Sequence, residues 1–294
     1  MARESALPLR PAAAAPRNPP ESMEGPMSQL TTKNKTEGSR EPPVKTVRLM
    51  PVIAALFWIL VWQAASMWLG QELLLPSPLK VMSVLLEFVG RPAFWGAVGF
   101  SFVRIVGGFV LAFTTGILLA VLAARYRSVR ILLTPLTAAV KATPVASFII
   151  LALVWIPSKN LSVFISFLMV LPVVYINCLQ GILGVDSGLL EMARVFRVPP
   201  RRRLLYIYLP DVMPYLISAA SLSLGLCWKS GVAAEVIGLP NGSIGESLYE
   251  AKVFMLTGEL FAWTVVIILI SVAFEKLVLA LLRAFQRRLE RTVR

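Results

Sequence analysis

Three ionisable residues stand inside long apolar stretches: Lys141, Lys229 and Glu235. A fourth, Arg104, lies in an apolar stretch nearer the N-terminus. A charge in such a place is costly in a bilayer and commonly faces a solute or ion path. Lys229 and Lys141 can present cations to an anionic solute. The competing reading for Lys229 is a structural tether to a backbone carbonyl or a carboxylate, and for Lys141 it is snorkelling or a tie at a proline bend. Glu235 falls near the end of its stretch, where a capping or interfacial role fits better than solute contact, and for Arg104 a packing or headgroup role fits best. Lys229 and Glu235 are six residues apart, about 120° around a helix, so they do not form an i,i+4 pair.

The second concentration of polar chemistry is Gly184–Pro210, the longest polar interruption in the apolar part of the chain. It holds five arginines (Arg194, Arg197, Arg201, Arg202, Arg203) with apolar side chains among them. Asp186 and Ser187 suit a helix start. Leu189, Leu190, Ala193 and Phe196 recur at spacings of three and four and predict one apolar stripe. Pro199–Pro200 is expected to stop that helix, and a second helix is expected to begin near Arg201 and run into the membrane. A short amphipathic helix, a break and a basic re-entry make a docking knob for a soluble partner. An ordinary positive loop is the alternative.

Catalytic constellations are missing. The chain has no histidine, which removes the commonest general base and metal ligand. It has no G-x-x-x-x-G-K-[ST] loop, so any ATP that drives it is hydrolysed by another chain. No serine sits in a G-x-S-x-G turn. Glu246 and Glu250 have no nucleophile or ligand set beside them and read as capping and solvation. Cys178 and Cys227 lie in apolar stretches and read as small buried hydrophobes. The chain reads as a conduit, with no cofactor or metal of its own.

These residues must be held by membrane-spanning helices. Of 294 residues 57% are hydrophobic and 15% charged, with mean hydropathy +0.73; soluble domains carry about 25% charged residues. Residues 1–48 are Pro-, Ala-, Ser- and charge-rich and read as a disordered tail, too polar for a signal peptide. Met23 or Met27 is an alternative start, which N-terminal sequencing tests. Six spans are predicted, at about 50–69, 97–124, 131–155, 161–183, 211–237 and 260–282. The third carries Pro135, Lys141 and Pro144, so a bend or an unwound turn is expected within it. Leu79–Val89 is expected to lie on the membrane as an amphipathic helix, and Ser247–Phe254 to form a short surface helix. Gly107, Gly108 and Gly116 in the second span, and Ser218, Ala219, Ala220, Ser223 and Gly225 in the fifth, are expected to allow close helix approach.

Positive charge gives the orientation. Eight basic residues precede Met50, three follow the second span, five lie in the central stretch and six close the chain from Lys276. All fall on one side if both termini are cytoplasmic, against four (Lys80, Arg91, Lys159, Lys252) on the other. The net charge of +13 is thus a matter of topology; there is no basic-aromatic patch of the kind that binds nucleic acid. No internal repeat is legible, which counts against many secondary transporters.

Several segments resemble one family. Glu191-Met192-Ala193-Arg194 followed by Leu209-Pro210 resembles the EAA loop of ABC-importer permeases. Leu75-Pro76-Ser77-Pro78, Ser101-Phe102-Val103-Arg104 with Gly107-Gly108-Phe109, and Val232-Ala233-Ala234-Glu235 are similar to the nitrate/sulfonate/taurine-type permeases. The resemblance covers roughly residues 50–285. It implies an all-α, polytopic, MetI-like permease of about six transmembrane helices in the bacterial inner (cytoplasmic) membrane. Its implied partners are a separate ATP-binding cassette ATPase, an extracytoplasmic solute-binding protein, a second permease copy (a homodimer) and membrane lipid. The implied ATPase-coupling residues are Leu189, Leu190, Glu191, Met192, Ala193, Arg194, Phe196 and Arg197, with Glu191 and Arg194 stiffening the helix. The implied cargo is a small anion such as nitrate, a sulfonate, taurine or bicarbonate, with a thiamine-precursor-like heterocycle as the alternative. A secondary transporter or channel using Lys229 and Glu235 is the competing class. The sequence departs from the pattern at Arg197, where the family has glycine; Pro199–Pro200 is expected to supply the turn instead. The domain reading is a tail at 1–48, a permease domain at 50–285 with the coupling loop at 184–210, and a basic tail at 286–294.

Overall fold

The computed structural model describes residues 44–293. Contacts divide the chain into a unit ending at Met50, whose described part is helical, and a unit Pro51–Arg294. The expectation for residues 1–43 of the tail lies outside the described residues. Every regular element among the described residues is helical.

The first span is α1 (Val44–Leu69), which starts six residues before the expected boundary. Most of its apolar side chains are exposed, as a lipid-facing helix requires. It is tied to the rest through the loop at 70–77: Trp62 Nε1 donates to the Pro76 carbonyl at 3.2 Å and Ser66 Oγ to the Leu75 carbonyl at 2.9 Å. A helix forms over the expected residues as α2 (Pro78–Val89), with Ser77 as N-cap accepting from the Lys80 amide, Pro78 in the first turn, and Val81 and Phe88 buried against the body. The second span, α3 (Pro92–Arg125), is longer than predicted because Pro92 can open a helix where it cannot continue one.

The predicted third span is broken. It comprises α4 (Arg127–Ala142) and α5 (Val145–Ala152), bent by 104° at Thr143-Pro144. Pro144 lacks a donor and drives the residue before it out of the helical region; Thr143 has φ −84°, ψ 133°. The fourth span is α6 (Ser158–Leu183). The polar interruption that follows begins with α7 (Ser187–Val195), then α8 (Pro200–Arg203) and a π turn (Leu204–Tyr208), which run without a break into the fifth span, α9 (Leu209–Gly238). The π turn has a local cause. In a regular turn the Pro210 ring would meet the Tyr206 carbonyl; here the backbone widens and the Leu209 amide donates to the Leu204 carbonyl five residues back. A short helix α10 (Ile244–Val253) precedes α11 (Thr257–Val293), which continues well past the expected end at 282. By length and composition five described helices can cross a membrane, or six if the bent pair counts as one span.

The body is built around α6, which packs along both α3 and α9. A central cluster joins Ile105 and Phe109 of α3, Val170 and Val174 of α6, Leu224 and Trp228 of α9, and Phe274 of α11. Two glycines make the close approach possible. A Cβ on Gly108 would lie 2.5 Å from the Val163 carbonyl oxygen, and one on Gly231 would lie 2.7 Å from both Ile105 Cγ1 and Ser166 Oγ. Gly107 and Gly225 differ from expectation: a Cβ at either meets nothing within 4 Å, so neither brings helices of this chain together.

Candidate functional site

The central polar stretch builds a knob with an internal clamp. Asp186 caps α7 by accepting from the Gly188 amide at 2.8 Å. At about 100° per residue, apolar side chains cover roughly 220° of this helix, more than one interface needs. The single stripe expected from spacing therefore splits into two. Ala193 is buried and Leu190 half-buried; Leu190 lines an apolar crevice with Val185, Leu204 and Tyr208 that roots the helix on the body. Leu189, Met192, Val195 and Phe196 point away from the body and are 40%, 52%, 77% and 73% exposed. Spacing alone grouped Ala193 with Phe196; the body claims one and leaves the other. Glu191 and Arg194 are both exposed on the polar side. They do not form the expected stiffening pair: the one salt bridge among the described residues joins Glu87 and Arg91.

Arg197 resolves the departure from the family pattern. Its φ is +49°, the left-handed conformation that glycine adopts without strain. Around it the Val198 amide donates to the Ala193 carbonyl at 2.9 Å and the Arg197 amide to the Arg194 carbonyl at 3.1 Å, the paired bonds of a Schellman ending. The turn is thus made at Arg197. The prolines do not supply it: Pro199 is extended and Pro200 starts the next helix. Arg197→Gly is expected to stabilise the knob by about 1 kcal/mol, the cost of a side chain in this conformation less the added freedom of the unfolded chain. Slower amide exchange across residues 189–198 is the measurement; unchanged or faster exchange counts against the turn.

The in-span charges separate by environment. Lys229, expected inside the bundle, is on the exposed side of α9, and Lys141 is exposed in the last turn of α4, beside the 104° break. Around Lys229 runs a continuous exposed face of α9: Asp211, Pro214, Ser218, Ser221, Leu222 and Lys229, with Gly225 half-exposed between them. These positions recur every three or four residues. Lys229 also lines a crevice between α9 and α11, with Trp228, Ile268 and Ser271. Arg104 takes a packing position: its Nε donates to the Lys159 carbonyl at 2.6 Å, and its guanidinium lies 3.5 Å over the Phe100 ring.

Glu235 is fully buried. Ser101 Oγ of α3 donates to its Oε2 at 2.6 Å, and the Gly245 amide in the first turn of α10 donates to the same oxygen at 3.4 Å. Ser101 Oγ in turn accepts from the Ile244 amide at 3.0 Å. Glu235 and Ser101 therefore cap α10 jointly, completing what Ser243 Oγ does for the Glu246 amide at 3.0 Å and Glu246 does for the Gly242 amide at 2.5 Å. Lys229 and Glu235 serve different faces, as their 120° separation requires. Ser101 as the partner of Glu235 was not legible in the sequence; the two are 134 positions apart. Among the described residues no group of three or more His, Cys, Asp or Glu side chains is placed to hold a metal, and Cys178 and Cys227 are buried free thiols.

Comparison with known proteins adds an independent line. The family profile described as "Binding-protein-dependent transport system inner membrane component" matches residues 112–291. The chain is 26% identical over 256 residues to the taurine transport system permease protein of Escherichia coli, covering 85% of this chain and 91% of that one. It is 25% identical over 237 residues to the nitrate import permease protein of Synechococcus elongatus (76% and 84% covered), and 24% identical over 238 residues to the bicarbonate transport system permease protein of the same organism (74% and 84% covered). A solved amino acid ABC transporter chain aligns with TM-score 0.47 and 18% identity, over 65% of this chain and 90% of that one.

Proposed function

The chain belongs to the family of inner-membrane components of binding-protein-dependent transport systems, and from that premise we propose that it is the permease of an ATP-driven importer, coupled to a separate ATPase through α7. The observation that carries this reading is the second apolar face of the knob. Leu189, Met192, Val195 and Phe196 stand exposed on a short helix that is capped at one end, clamped at the other and rooted by its opposite face. A rigid helix with an unsatisfied apolar face suits insertion into a groove of a soluble protein, with Glu191, Arg194 and Arg197 at the rim. ATP-driven closure of the ATPase pair would then move the knob and, through α8 and the π turn, the base of α9. Coupling requires that the two states of the permease differ in free energy of contact with the ATPase.

The exposed face of α9 supports the rest of the reading. Serines and a lysine on a transmembrane helix are costly against lipid, so this face meets water or another copy of the chain. A homodimer enclosing a solute path between two such faces, with Lys229 and Lys141 as its cations, satisfies both. The curated relatives named above carry taurine, nitrate and bicarbonate in their names, all small solutes bearing an acid group. The proposed cargo is of that class, delivered by an extracytoplasmic binding protein. The basic ends of the chain lie in the cytoplasm, the permease domain is residues 50–285, and this chain holds no nucleotide.

Uptake into vesicles containing the chain, its co-purified ATPase and its binding protein tests the proposal. ATP-dependent uptake is expected, and none from the chain alone; uptake by the chain alone under an ion gradient would overturn it. Within that assay Lys229→Met is expected to lower uptake by about tenfold or more without loss of assembly, since a charge that attracts the anion is removed from the path. Wild-type transport would return Lys229 to a structural role.

A further inference from the structure

A second in-span charge is hydrogen-bonded to the face of α9 that carries Lys229. Glu275 lies in α11, within its apolar membrane-crossing stretch, and is half-buried beside α9. Its Oε1 accepts from Ser221 Oγ of α9 at 3.4 Å. Ser221 belongs to the exposed face that also carries Ser218, Gly225 and Lys229. Lys229 is eight residues further along α9, roughly 12 Å at 1.5 Å per residue, and borders an α9–α11 crevice beside Ile268 and Ser271. Lys276 follows Glu275 but is turned about 100° away around α11 and is exposed there.

Along the α9–α11 surface an ammonium therefore stands towards the outer end and a carboxylate about two turns nearer the cytoplasm, with Arg283 and Arg287 of α11 beyond it beside Pro214 and Ile217. Resting on the proposed path, we infer that Glu275 is a second charge-selecting residue of that path. Lys229 draws a negatively charged group into the outer half. Glu275 repels it in the inner half, so an anion is not trapped at the lysine and passes most easily when singly charged or when it also carries a positive group. A dianion gains most at Lys229 and meets the greatest repulsion at Glu275. The polar side chains of α9 between the two positions, with Gly225 giving room, let the solute keep partners while it moves.

The test reads the local potential directly and needs no knowledge of the cargo. Single cysteines are placed at Gly225→Cys and Ser218→Cys in the full complex, and each is reacted with thiosulfonate reagents of matched size, one anionic and one cationic. The native thiols are buried and serve as background. At position 225 the anionic reagent is expected to react faster, and at position 218 the cationic one, each by about tenfold or more for a single charge at this range. Adding Glu275→Gln should abolish the preference at 218 and leave that at 225; adding Lys229→Met should do the reverse. If neither cysteine reacts, the face is not water-lined and the path itself is wrong. If both react but the preference at 218 is unchanged by Glu275→Gln, the path stands and the role given to Glu275 falls.

Discussion

Phe196→Asp is expected to separate the chain from its ATPase, with uptake falling by about 100-fold or more while the permease still inserts and purifies in normal yield. Phe196 points away from the body. It is 73% exposed, so its replacement leaves the chain's own packing intact. In the proposed groove it is the one large aromatic of the outer face, and aromatic anchors at the centre of an interface are typically worth about 2 kcal/mol or more. A carboxylate in the same pocket adds the cost of an unpaired charge out of water. Glu191→Lys is expected to act in the same direction but less strongly, because Glu191 sits at the rim, where charge affects encounter more than affinity. Co-purification of the ATPase with each variant, beside a thermal unfolding profile of the permease, is the measurement. Undiminished ATPase recovery with Phe196→Asp would show that α7 is not the grip.

Glu235→Ala is expected to destabilise the permease by about 3 kcal/mol, far more than Glu235→Gln. The alanine leaves the Ser101 hydroxyl and the Gly245 amide facing a buried space with no acceptor, at roughly 1–3 kcal/mol for each unsatisfied group. Glutamine keeps an acceptor in the same place. The site is also sterically closed: a Cβ on Gly245 would lie 2.3 Å from Glu235 Cβ and 2.5 Å from its carbonyl carbon, so α10 docks only as glycine at that point. Gly245→Ala is accordingly expected to match Glu235→Ala in detergent thermal unfolding. If Glu235→Ala unfolds like the wild type, the joint cap of α10 contributes nothing, and Glu235 must be explained in some other way.

The two predictions act at opposite ends of the same helical path. From the knob, α8 and the π turn lead without a break into α9, and the last turn of α9 carries Glu235, where α3 and α10 are joined to it. In the proposed importer a push at Phe196 therefore reaches the outer end of the span through one continuous element. The π turn at Leu204–Tyr208 is the point of that element with irregular hydrogen bonding, imposed by Pro210.

Much of this was determined by the sequence alone. Membrane crossing depends on about twenty consecutive residues and charge asymmetry on loops, both of which are local; five of the predicted spans coincide with a described helix, and the third is bent as expected, at Pro144, while Pro135 is carried inside an unbroken helix. The helix start at Asp186 was likewise legible, because capping is local. What only the tertiary structure decided is which side of each helix is already taken. The apolar residues of α7 divide into root and free face only once the body has covered Ala193. Lys229 proves to be exposed and Glu235 buried though both are charges in one span, because Ser101, 134 positions away, is folded against Glu235, while Lys229 only borders an open crevice beside α11. Arg197 holds a glycine's conformation because two backbone bonds close around it, a constraint that the identity of the side chain does not reveal. Local physics sets where helices begin and what they can cross; burial and partnership are properties of pairs distant in the chain, and those arise only when the helices are packed.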